Sequence, residues 1–141
     1  MFGSEPSHSA KIALEKFKKN NVKHIIELGA GLGRDTIFFA KNSIKVTALD
    51  YSPTAVEIIK NKSNSLGLSD LIEVQTHDLR QKLNFADNSF EGCYSHMLYC
   101  MAFTYPELEN LNNEIFRVLN KDSLNIYTVR NTEDGDFKKG V

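Results

Sequence analysis

The sequence has no tryptophan, only three prolines and only two cysteines in 141 residues. Cys93 and Cys100 are not spaced as C-x-x-C, and no histidine is placed to complete a zinc set. That argues against a disulfide-stapled scaffold or a metal module, so no metal site is expected. A reduced, cytoplasmic setting is the plain reading. The net charge is −1, which leaves no electrostatic footprint for nucleic acid or a membrane surface. No apolar run approaches the ~20 residues needed to span a bilayer, and the N-terminus lacks a signal-peptide pattern. Internal repeats and low-complexity segments are also missing. What remains is one domain, 1–141, of a size that buries roughly two thirds of its unfolded surface. Its polar ends, 1–8 and 131–141, are expected to be mobile.

Glycine is scarce but concentrated. Three of the eight glycines are Gly29, Gly31 and Gly33, in the run His24-Ile-Ile-Glu-Leu-Gly-Ala-Gly-Leu-Gly-Arg-Asp35. The first half of this run suits a buried parallel strand, and the second half is a tight turn opening an amphipathic run, Arg34–Lys41. A strand, a glycine turn and a helix N-terminus together form a nucleotide cradle. The spacing is G-x-G-x-G, with Arg34 standing where the dinucleotide G-x-G-x-x-G pattern needs its third glycine. An NAD-dependent dehydrogenase is disfavoured on that ground.

The run resembles motif I of the class I S-adenosylmethionine (SAM)-dependent methyltransferases, from about Val22 to Arg130. The resemblance implies that Glu27, Gly29, Ala30, Gly31, Gly33, Arg34 and Asp35 surround the methionine part and ribose of SAM. It implies that Asp50, with Tyr51 beside it, holds the ribose hydroxyls. A carboxylate can accept from both vicinal hydroxyls. Asp78 would meet the adenine amino group and Leu79 a ring nitrogen, although Asp78 can equally cap a turn. Gly-Arg-Asp-Thr at 33–36 and Thr-Val-Arg-Asn at 128–131 are similar to small methyltransferases of the type 11 and tellurite-resistance groups.

The remaining elements follow from periodicity. Ala10, Ala13, Leu14 and Phe17 predict a helix over about 9–20, and Ile37, Phe38 and Ala40 the core face of a second. Strands are expected at 44–49, 71–76, 90–95 and 123–130. Ser52-Pro53 starts a third helix with Ala55, Ile59 and Leu66 on one face and Gly67 as its stop. Its lysines at 60 and 62 read as a solvated face. Leu108, Leu111, Ile115, Val118 and Leu119 predict a fourth helix after Pro106. His8 and His24 read as structural or exposed. This βα alternation predicts an α/β fold with one sheet, and the methyltransferase resemblance implies a Rossmann-like doubly wound parallel sheet of order 3-2-1-4-5.

Ligands of such sheets sit beyond the carboxyl ends of the strands at the switch in strand order. In the family that the chain resembles, the first and fourth strands flank that switch, which implies Ser95 in the cofactor set and makes His96 and Tyr99 the candidates to face the transferred methyl. His96 reads either as a general base or as a histidine shaping the pocket. Tyr99, with Met97, Met101 and Phe103, reads either as a catalytic side chain or as an apolar wall. The expected activity is methyl transfer from SAM to a small or soluble acceptor. The rival is a non-catalytic SAM-binding or interaction domain, a truncated relic. Only about eleven residues follow Arg130, too few for the family's usual sixth and seventh strands. The last strand is therefore expected to be a bare edge with apolar character on both faces, open to pairing as a two-fold homodimer.

Overall fold

The computed structural model describes residues 5–96, 103–128 and 136–137. Its elements are α1 (His8–Lys19), β1 (His24–Leu28), α2 (Arg34–Lys41), β2 (Lys45–Asp50) and α3 (Pro53–Ser65). They continue with β3 (Ile72–Thr76), β4 (Phe90–His96), α4 (Tyr105–Val118), β5 (Leu119–Thr128) and β6 (Asp136–Phe137). One sheet takes the order β3-β2-β1-β4-β5-β6, parallel except for β6. β1 and β4 are neighbours although α2, β2, α3 and β3 lie between them in sequence, so the strand order switches there.

Caps account for most of the boundaries. Ser7 precedes α1, and its hydroxyl accepts the Ala10 N–H. Ser52 does the same for Ala55 at the start of α3, with Pro53 in the first turn where a missing N–H is harmless. Thr104 and Glu107 close a reciprocal capping box on α4. Gly67 ends α3 at φ +71.

Two apolar clusters cover the faces of the sheet. Helices α1, α2 and α3 contribute Ala13, Phe17, Phe39, Val56 and Ile59 to one. Helix α4 contributes Leu111, Ile115 and Val118 to the other, with Leu83 and Phe90. Phe39 is fully buried while its neighbour Phe38 is only partly so. Leu66, expected on the core face of α3, is half exposed, and Ser63 takes the buried place instead.

Two expectations about β5 are corrected. The strand begins at Leu119 and not at Ser123, because the residues before Ser123 join the ladder through an irregularity. The register shifts between Phe90 and Gly92, with Asp122 at φ +67, a conformation aspartate tolerates better than most residues. Nor is the edge bare, since β6 pairs antiparallel with it through Tyr127↔Phe137 and Thr128↔Asp136.

Candidate functional site

The carboxyl end of β1 runs into the glycine turn, and all three glycines have positive φ: +72 at Gly29, +61 at Gly31 and +90 at Gly33. The turn is fastened to the sheet. Leu49 C=O accepts from Gly29 N–H at 2.8 Å and from Ala30 N–H at 3.1 Å, and Gly33 N–H donates to Ala30 C=O at 3.1 Å. Asp50, at the end of β2, accepts from Gly31 N–H at 2.8 Å through Oδ2 and from Ser52 N–H at 2.9 Å through Oδ1. Four turn amides are thus used internally. The backbone opening is at Gly31, where an added Cβ would meet nothing within 4 Å. At Gly33 an added Cβ would lie 2.8 Å from Ile59 Cγ1, so this glycine is needed for packing as well as for its φ. Gly33 also N-caps α2 with no side-chain hydrogen bond, leaving the first-turn N–H groups of that helix uncapped by a side chain.

Beside this turn lies a cleft of about 550 Å³, an ordinary size for a small-molecule site. It brings together Glu27, Gly29, Ala30, Gly31, Gly33, Arg34, Asp35 and His96, eight of the residues singled out from sequence. Leu32 and Lys62 also line it. Lys62 is more than a solvated lysine, because its Nζ donates to Leu32 C=O at 2.8 Å and so ties α3 across the turn.

The carboxyls differ sharply. Glu27 is buried and accepts from the Thr36 hydroxyl. Burial raises its pKa to about 8, opposed by the Thr36 hydrogen bond and reinforced by Asp35 and Asp50. Burial thus favours the neutral acid over the carboxylate at this position. Asp35 is also buried but accepts from Ser7 N–H at 2.8 Å, Ser7 O–H at 2.8 Å and Tyr94 O–H at 3.0 Å. His96 Nδ1 lies 3.0 Å from Ser9 Oγ and 3.1 Å from Thr128 Oγ1.

The end of β3 is built differently. Asp78 accepts from Arg80 Nε at 2.9 Å and Nη2 at 3.3 Å, and from Arg80 N–H at 3.0 Å. This is the turn-forming role left open by the sequence. The Arg80 hydrogen bonds hold the Asp78 pKa below the usual carboxylate value. The guanidinium also lies 5.8 Å from the centroid of the exposed Tyr51 ring. Asp50, Tyr51, Asp78, Leu79 and Ser95 do not line the cleft. The Leu79 side chain belongs to the core, and Ser95 is buried within β4 opposite Leu28 and Tyr127. Tyr99, Met97 and Met101 lie outside the described residues.

Several site residues escaped sequence reasoning. Ser7 sits at the edge of a segment expected to be mobile, and its N-cap position before an amphipathic run was the available signal. Tyr94 reads as a core aromatic inside an apolar strand, and nothing local marks Ser9 or Lys62. The described residues contain no group of three or more His, Cys, Asp or Glu able to hold a metal, and no helix long and apolar enough to cross a membrane.

The chain is similar to known proteins over most of its length. A methyltransferase-domain family model matches residues 25–122. Sterol 4-C-methyltransferase strm-1 of Caenorhabditis elegans is 28% identical over 123 residues, covering 86% of this chain and 36% of that protein. 24-Methylenesterol C-methyltransferase 3 of Arabidopsis thaliana is 30% identical over 115 residues, covering 81% and 31%. The chain thus spans about a third of the length of these curated relatives. Among solved structures, geranyl diphosphate methyltransferase in complex with SAM superposes with a TM-score of 0.75 at 14% identity, over 85% of this chain and 47% of that one. The [4+2]-cyclase SpnF superposes at 0.77 with 20% identity, over 89% and 46%. With its family model matched across the strands, the glycine turn and the cleft, this chain belongs to the methyltransferase-domain family.

Proposed function

We propose that this domain binds SAM in the cleft beside the glycine turn and transfers its methyl group to a small-molecule acceptor. The observation that carries the reading is the Asp50–Gly31 hydrogen bond. It draws the acid at the end of β2 against the glycine turn of β1, so one preformed corner holds both elements that a nucleoside with an amino-acid tail needs. The residues present fit that group. Gly31 leaves its side of the turn open, and an ionised Asp50 keeps acceptor capacity beyond its two backbone hydrogen bonds. The uncapped first turn of α2 offers donors to the polar tail.

When bound, SAM supplies a methyl already activated on a sulfonium. The chain's own task is then alignment and exclusion of water. Glu27, whose neutral form burial favours, shapes the floor of the cleft without placing a fixed charge there. His96 is the side chain available to take a proton from an acceptor that must lose one. Asp78, Leu79 and Ser95 remain part of the proposed cofactor set as backbone and edge contacts, and Tyr51 as a flat exposed surface next to Asp50.

A second reading, a domain on this fold that transfers no methyl, is favoured by one observation: the neighbour SpnF is a [4+2]-cyclase. Titration calorimetry with SAM and with NAD, followed by transfer from labelled SAM over an acceptor panel, separates the readings. Binding of SAM with transfer supports the first, and binding without transfer to any acceptor supports the second. Binding of NAD alone removes both. A cytoplasmic setting belongs to the same proposal, supported by the free, buried thiol of Cys93. So does a two-fold dimer through the part of the β5 edge that β6 does not cover. Light scattering that shows a monomer at high concentration removes the dimer.

A further inference from the structure

Ser7, Ser9, Asp35 and Tyr94 are all at least nine-tenths buried, and their hydrogen bonds run without a break from a carboxylate to the His96 ring. They come from α1 and its cap, α2 and β4, and no local sequence pattern joins them. Their protons can be assigned one at a time. Asp35 offers acceptors, and the Ser7 N–H facing it at 2.8 Å can only donate. The Ser7 hydroxyl donates to the same carboxylate at 2.8 Å. Tyr94 O–H lies 3.0 Å from Asp35 Oδ2, 3.2 Å from Ser7 Oγ and 3.4 Å from Ser9 Oγ, and its single proton goes to the nearest acceptor, the carboxylate, which leaves Ser7 and Tyr94 in oxygen–oxygen contact without a shared proton. Burial and the neighbouring Asp35 push the Tyr94 phenol far above its usual pKa, so it keeps that proton.

The Ser7 oxygen is then an acceptor with two lone pairs. One takes Ala10 N–H at 3.1 Å, and the other takes Ser9 O–H at 3.3 Å. With its proton directed to Ser7, Ser9 has only lone pairs to present to His96 Nδ1 at 3.0 Å. Thr128 Oγ1 approaches the same nitrogen at 3.1 Å. One N–H can be shared between two oxygens, whereas a single lone pair does not satisfy two hydroxyl donors.

We propose that Asp35 is a positioning residue which, acting through Ser7 and Ser9, holds the proton of neutral His96 on Nδ1 and leaves Nε2 as the basic nitrogen of a side chain lining the cleft. The inference deepens, and rests on, the reading of His96 as the base of the proposed methyl transfer. In that step the acceptor's proton ends on Nε2, Nδ1–H stays in place donating to Ser9, and no proton travels along the chain.

The tautomer can be read without either ligand. Long-range ¹H–¹⁵N spectra of the full ¹⁵N-labelled chain, recorded where the ring is neutral, distinguish a protonated from an unprotonated ring nitrogen. His96 is assigned by the signals lost in His96→Gln. The expected result is a protonated Nδ1 and a bare Nε2. In Asp35→Asn the new amide N–H₂ donates back toward Ser7 or Tyr94. The chain then reverses, and the His96 proton is expected on Nε2. If that variant fails to fold, the Ser9 pair decides: Ser9→Ala loses the bias toward Nδ1–H, and Ser9→Thr retains it. A wild-type ring protonated on Nε2 would overturn the proposal. So would a folded Asp35→Asn, or a Ser9→Ala, with its tautomer unchanged. Calorimetry with SAM on the wild type fails only if the cofactor reading is wrong, so the two failures are distinguishable.

Discussion

The carboxyl ends of β2 and β3 each carry an aspartate, and the two aspartates do opposite things. Asp50 reaches across to another element, taking the Gly31 N–H of the turn after β1. Asp78 turns back on its own segment and is held by Arg80 from three donors two residues away. Long-range bonds to backbone N–H groups preorganise a corner, whereas a local exposed pair organises only itself. The β1–β2 corner is therefore built in advance, and the β3 end has to give up an existing partner before it can hold anything else. The contrast separates residues on which binding should depend strongly from those on which it should depend weakly.

Breaking the preorganised corner at its tightest point should have the largest effect. Gly33→Ala places a Cβ 2.8 Å from Ile59 Cγ1 at φ +90. Backbone strain and overpacking each contribute about 1–3 kcal/mol. Urea unfolding should therefore show a loss of about 3–5 kcal/mol, and a variant of wild-type stability would mean that the turn is not locked against α3.

The next effect lies in pH. The Glu27 pKa is raised in the fold, from 4.5 to about 8. Its stabilising contribution is thus complete below pH 4.5, falls as pH rises, and is gone above about 8. The loss across that window is about 5 kcal/mol. Glu27→Gln cannot titrate, so its stability should lack this decline. Parallel pH profiles for the two proteins would show that Glu27 is solvated.

Asp50→Ala should weaken SAM binding by about 10–150-fold, the equivalent of ~1.5–3 kcal/mol for hydrogen bonds to a charged group. Unchanged affinity in calorimetry, with the fold intact, removes Asp50 from the ribose site. The smallest effect belongs to the self-satisfied end. Arg80→Ala should leave the melting temperature where it is, because Arg80 is exposed and Asp78 only partly covered. SAM affinity should hold or rise as Asp78 is freed. A clear loss of affinity would mean that Arg80 itself holds the ligand and that the contrast between the two ends is false.

The same contrast explains what was legible in the sequence. The starts of α2 and α3 and the glycine turn rest on local patterns of cap, glycine and period, which are visible in one dimension, whereas the order 3-2-1-4-5 is legible only through the family resemblance. Asp50 was legible because it closes a β-branched run. The His96 surroundings were not, since Ser9, Asp35, Tyr94 and Thr128 come from four elements and meet only in the folded sheet. Lys62 was misread for the same reason, as its partner, Leu32, is thirty residues away. The β5 edge was judged from the few, mostly polar residues after Arg130, and a two-residue strand is too short to announce itself among them.

The central claim is that the β1–β2 corner is the cofactor site. It is tested most directly by titrating the ¹⁵N-labelled chain with SAM and following its backbone amides. The account predicts saturable shifts concentrated at Ala30, Gly31, Leu32, Gly33, Arg34 and Tyr51. Shifts confined to other parts of the molecule, or a glycine turn unmoved at millimolar SAM, would contradict it.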